Sequence, residues 1–163
     1  MSKKYPPILD ITCGGRMMWF NHHNPLCLYL DNRELPPTDI DNGRLFEVKP
    51  DMLADFRHLP FPDNTFHLVV FDPPHFTRVS DKAYLKIKFE RLSNTWQEDL
   101  KAGFDECMRV LTDYGTLIFK WSEIQIPTRK VIEVIGQQPL FGHISGRQSK
   151  THWMAFLKVP NYL

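Results

Sequence analysis

The chain has 163 residues, a formal net charge of +1 and a charged share of 24%, the balance of an ordinary globular domain. That charge supplies no bulk basicity for nucleic acid, which leaves only a local patch for such a role, and no apolar run approaches the ~20 residues of a membrane span. Cys13, Cys27 and Cys107 are odd in number and widely spaced, which fits neither a disulfide framework nor a zinc site.

Reduced thiols place the protein in a cytoplasmic setting. The start of the chain, through Pro6-Pro7, carries charge but no apolar stretch or cleavage site, so no secretory signal is expected. His22-His23 before Pro25 reads as a surface turn, and no metal site is expected.

In chain order, short apolar or β-branched runs occur at 8–11, 27–30, 52–55, 67–71, 116–120, 140–144 and 153–158. Runs apolar on both faces suit strands covered on both sides. Helices are expected between them. One opens after Gly14-Gly15, over 16–22. The clearest spans 95–111, where Trp96, Leu100, Phe104, Cys107 and Leu111 recur at helical spacing, with Thr95 and Glu98 as a capping box. Another follows Pro127 and stops at Gly136. Strands alternating with helices predict a doubly wound α/β fold with a mostly parallel, seven-stranded sheet. The last two runs lie too close for a crossover helix and should form an antiparallel hairpin.

Ligands of such sheets bind at the carboxyl ends of the strands. The first run ends in Asp10-Ile11-Thr12-Cys13-Gly14-Gly15, and paired glycines let the backbone approach a ligand closely. The second ends at Asp31, placed to accept the hydroxyls of a ribose. The third ends at Asp55-Phe56, a carboxylate and an aromatic suited to an adenine ring. The fourth ends in Asp72-Pro73-Pro74-His75. An aspartate after a strand is usually a turn or cap residue, but four successive strand ends of the right residue type outweigh that reading.

On these residues the chain resembles the class I S-adenosylmethionine-dependent methyltransferases, and within them the amino-methylating branch. Residues 8–15 resemble the first motif of that family. Asp31 and Asp55 stand where acids hold the cofactor's ribose and adenine. Asp72-Pro73-Pro74-His75 is similar to the Asp-Pro-Pro-aromatic motif of adenine-N6 methyltransferases. Arg16 stands where the family has a third glycine, and His75 where Tyr, Phe or Trp is commoner.

The resemblance implies one catalytic domain over 1–163 with S-adenosylmethionine as cofactor, held by Asp10, Thr12, Cys13, Gly14, Gly15, Asp31, Asp55, Phe56 and Asp72. It also implies methyl transfer to an exocyclic amine, adenine N6 of DNA or RNA first, with Asp72, Pro73, Pro74 and His75 catalytic. Two hydrogen-bond acceptors, the Asp72 side chain and the Pro73 carbonyl, would localise the amine's lone pair, and His75 would cover the base. Basic residues interleaved with aromatics follow the loop, so His75, Phe76, Arg78, Lys82, Tyr84, Lys86 and Lys88 are expected to bind substrate, with Lys120 and Trp121 beside them. Target recognition would fall to a protein partner or a second copy. The rival expectations are methylation of a small molecule or protein amide, and a non-catalytic nucleic-acid-binding subunit.

Overall fold

The computed structural model describes residues 5–78, 87–88, 90–144, 146 and 148–160. The described elements are β1 (Ile8–Asp10), β2 (Cys27–Asp31), β3 (Leu35–Asp41), β4 (Arg44–Val48), β5 (Met52–Leu53), β6 (Phe66–Phe71), α1 (Trp96–Val110), β7 (Leu111–Ser122), α2 (Thr128–Ile135) and β8 (Thr151–Leu157). Six strands form one sheet in the order β5-β2-β1-β6-β7-β8, and β3 pairs with β4 apart from it. Every pairing in the sheet is parallel except β7 with β8. This is a mixed α/β fold with a mostly parallel sheet.

Alternation along the strands sorts side chains onto two faces. Leu9, Ile11, Leu30, Val69, Phe71, Leu117, Phe119 and Met154 enter the main core, where Leu100, Phe104 and Cys107 of α1 and Val131 and Ile135 of α2 close over them. The predicted periodicity of α1 is therefore the periodicity of its buried face. Its cap is not as expected: Thr95 makes no cap bond to the helix, and the Ser93 and Thr95 hydroxyls donate to Asp99 instead. Gly136, at φ 75, ends α2 as predicted.

The opposite face is covered differently. Cys13, Cys27 and Tyr29 form a small second cluster with Ile8 and Trp19. No helix occupies 16–22, because Arg16 sits at φ 54, outside the right-handed helical region. Asn21 and Asn24 then accept backbone N–H groups two residues on, so local Asx turns replace the helix. The sheet is thus not wound with helices on both sides among the described residues.

Two further departures concern strands. The hairpin β3–β4 was not expected, although its turn, Asn42-Gly43, has φ 48 and 81, the pair of positive values that a tight hairpin requires. The run at 140–144 contributes a single antiparallel bridge, Phe141 to Ala155, in place of a seventh strand. Gly142, at φ 137, turns the chain out of the ladder, and its backbone lies against Trp153 and Met154. The expected C-terminal hairpin is reduced to that contact.

Candidate functional site

The carboxyl ends of β1, β2 and β6 are tied to one another by polar contacts. The Cys13 N–H donates to the Leu30 carbonyl at 2.8 Å, and the Gly14 N–H donates to Asp31 Oδ2 at 2.8 Å. The Asp72 N–H donates to Thr12 Oγ1, also at 2.8 Å. The glycine turn is therefore bonded to the tip of β2 on one side and to the Asp72 loop on the other. Gly14 itself adopts φ 48, and a β-carbon added there would touch nothing within 4 Å, so its backbone faces open space.

One cleft runs across these tips. Thr12, Cys13, Gly14, Gly15, Asp31, Phe56, Asp72, Pro73, Pro74 and His75 all line it, as do Phe76, Lys88 and Lys120. The structure thus brings together most of the residues expected to serve cofactor and acceptor. Asp31 is buried, and burial pushes its carboxyl above the usual range, partly offset by the Gly14 N–H.

Four of the expected residues lie elsewhere. Asp10 is fully buried behind the turn, where its carboxylate accepts the Trp19 indole N–H at 2.7 Å and the Thr12 N–H. Burial raises its pKa to about 7. Asp55 faces an adjoining hollow that shares Asn32, Phe56, Pro73, Pro74 and Glu90 with the main cleft. Both its oxygens hold Arg57, down to 2.6 Å, and that guanidinium lowers its pKa. Trp121 was expected in the substrate pocket, but it is fully buried. Its alternation on β7 points it into the core, where its indole N–H donates to the Ile126 carbonyl.

Arg78 is exposed and does not line the cleft; its backbone is held by Gln125. Lys82, Tyr84 and Lys86 lie outside the described residues.

At the acceptor loop, Lys120 Nζ donates to Asp72 Oδ2 at 2.7 Å. Asp72 Oδ1 is enclosed and has no hydrogen-bond partner among the described residues. His75 Nδ1 lies 3.2 Å from the Pro73 carbonyl oxygen. Burial lowers the pKa of this imidazole, against the opposing pull of Asp72. The two acceptors expected to receive an amine are each already half engaged, one by a lysine and one by a histidine.

Sequence reasoning missed Asn32, Arg33, Phe46 and Glu90 in the cleft wall. Phe46 arrives on β4, so the Asn42-Gly43 turn was the signal that would have found it. Its ring rests on Gly15, where an added β-carbon would come within 2.6 Å of it. Arg33 donates to the carbonyls of Ile87 and Lys88 at 3.0 Å and lies between Asp31 and Glu90. No local pattern announces that clamp.

The residues present suit an adenosyl sulfonium cofactor. Asp31 lines the cleft as an acid, a side-chain-free turn at Gly14 opens beside it, and Asp72 lines the same cleft with one oxygen that has no hydrogen-bond partner among the described residues. The adenine position departs from expectation, since Asp55 is engaged by Arg57.

No family model and no curated protein matches the sequence. Solved structures do match. The PH0226 protein from Pyrococcus horikoshii OT3 superimposes with a TM-score of 0.58 at 13% identity, over 98% of this chain and 84% of that one. A SAM-dependent methyltransferase from Leishmania major superimposes with a TM-score of 0.50 at 15% identity, over 91% of this chain and 63% of that one. This chain therefore spans less than two thirds of the Leishmania protein. At such identities the likeness is one of fold alone: this mixed α/β architecture is similar to that of the PH0226 protein and of the Leishmania methyltransferase.

Proposed function

We propose that this chain binds S-adenosylmethionine and catalyses methyl transfer to an exocyclic amino group, with adenine N6 of DNA or RNA as the leading acceptor. The observation that carries this reading is that Gly14, Asp31 and Asp72 open on one cleft, with the Asp72 loop bonded to the glycine turn through Thr12.

In this reading the turn at Gly14 and Gly15 receives the methionine end of the cofactor, Asp31 accepts its ribose hydroxyls, and Phe56 covers its adenine. Bound there, the cofactor supplies an electrophilic methyl group on a sulfonium. An exocyclic amine on an aromatic ring is a poor nucleophile because its lone pair is delocalised. Asp72 Oδ1 accepts one of its N–H groups and the second lone pair of the Pro73 carbonyl accepts the other, which localises the amine's lone pair and aims it. Two prolines restrict the backbone and hold the loop in shape before the acceptor arrives. Positioning and electrostatics are the chain's contribution to the rate. A base in a duplex must first leave the stack, at a cost of a few kcal/mol, which favours single-stranded or mismatched acceptors. Phe76 and Lys88 line the same cleft and suit a base and its phosphate.

Calorimetric titration with S-adenosylmethionine, followed by transfer of labelled methyl to separate pools of DNA, RNA and protein, tests the proposal. Saturable binding and label in nucleic acid, recovered as a methylated adenosine, are expected. No cofactor binding would leave only a non-catalytic role. Label confined to protein would end the nucleic-acid assignment.

A further inference from the structure

We infer that His75 is a catalytic base that accepts the proton leaving the substrate's amino group, beyond covering the acceptor ring. This inference rests on the methyl-transfer reading above and names a residue for the proton that reading leaves unassigned.

The tautomer follows from the geometry. A carbonyl oxygen only accepts hydrogen bonds, so the 3.2 Å contact from His75 Nδ1 to the Pro73 oxygen puts the imidazole proton on Nδ1. The lone pair is then on Nε2, which bonds to no described residue, on a ring that lines the cleft. Among the described residues the charged groups facing the imidazole are two. Asp72, on its own loop, has Oδ1 3.9 Å from Nδ1, and Lys120 comes from β7 with its ammonium on Asp72 Oδ2. Its ring neighbours, Phe76 at 4.4 Å and Trp121 at 5.9 Å between centroids, carry no charge. Burial holds the imidazole below its ordinary 6.5, so it is neutral at pH 7.

The Lys120 ammonium already occupies Oδ2 of Asp72, which leaves that carboxylate a single oxygen for the amine. Asp72 can still orient the amine through Oδ1, while His75 Nε2 takes the proton.

The step balances. The acceptor nitrogen forms its bond to the methyl carbon with its own lone pair, as the carbon–sulfur bond breaks and leaves its pair on sulfur. The nitrogen then loses a proton to the Nε2 lone pair, keeping the N–H electrons. The imidazolium returns that proton to solvent, which its lowered pKa favours.

Two measurements decide the matter. Nitrogen NMR of the wild-type protein reads the tautomer without any turnover. A neutral Nδ1–H form at pH 7.5, titrating below 6.5, is expected; an Nε2–H form or an imidazolium at that pH overturns the inference. Methyl transfer against pH is then compared between wild type, His75→Phe and His75→Gln. Wild type should lose rate as pH falls through the imidazole's titration. Both variants should fall by about a hundredfold or more and lose that limb, with calorimetric cofactor affinity unchanged. A His75→Phe enzyme with wild-type rate and pH profile shows that covering the ring suffices, and removes the base. If wild type binds cofactor but labels no pool, the methyl-transfer reading fails, and the NMR tautomer judges His75 on its own.

Discussion

Lys120 Nζ holds Asp72 Oδ2 at 2.7 Å across the end of the sheet, joining β7 to the loop that follows β6. Both side chains are mostly shielded from water, at 25% and 18% exposure. Removing one partner therefore leaves a poorly solvated charge. Lys120→Met and Asp72→Asn are each expected to lower unfolding stability by about 1–3 kcal/mol. The double variant should lose less than the sum, with a coupling of about 1 kcal/mol. Urea unfolding of the four proteins measures this, and strict additivity would show that the pair contributes nothing.

The acids at the ends of β2 and β6 should separate by kinetics. Asp72→Ala is expected to abolish transfer while cofactor affinity stays within a few-fold. Asp31→Ala should mainly weaken cofactor binding, since it also releases the Gly14 N–H. Calorimetry and a labelled-methyl assay distinguish the two, and near wild-type turnover by Asp72→Ala would falsify the assigned chemistry.

Gly15 has no room for a side chain, because the Phe46 ring occupies the position of its β-carbon. Gly15→Ala is expected to cost about 1–3 kcal/mol through overpacking. In a Phe46→Ala background, where that space is empty, Gly15→Ala should cost less. If the thermal melts of the four proteins show strict additivity, the two residues do not meet as described.

Asp10 gives a pH dependence whose sign is fixed by burial. Its pKa stands near 7 when folded, against 3.8 for the ordinary carboxyl. Between those values the folded chain holds a proton that the unfolded chain has released. Its contribution to stability is complete below about pH 4 and is lost as pH rises towards 7, by up to ~1.4 kcal/mol per pH unit. Asp10→Asn should remove that slope. Denaturation of both proteins at pH 5 and pH 7.5 tests it; equal differences between the two pH values would refute the assignment.

Much of the site was legible because parallel sheets place strand ends side by side. Asp31 and Asp72 need only lie at the tips of β2 and β6 to share a cleft, and the sequence marks those tips. The periodicity of α1 was equally plain, since its buried stripe is set by Leu100, Phe104 and Cys107. What escaped notice depends on single residues meeting across the fold. Arg16 at positive φ cancels an expected helix, held by its bonds to the His22 and Lys49 carbonyls and by the Tyr29 ring. Arg57 claims Asp55, and the direction of Trp121 is decided by the register of β7 against β6. None of these follows from the composition of a short window.

Phe46 reaches the cleft on a two-stranded arm that shares no ladder with the main sheet. Part of the cleft wall is therefore carried by an appendage whose length and pairing can change without breaking any rung of the central framework. A slip of one position along β3 would turn the phenyl ring to the other side and take it off Gly15. Selectivity for what enters can drift in such a molecule while its scaffold stays as it is.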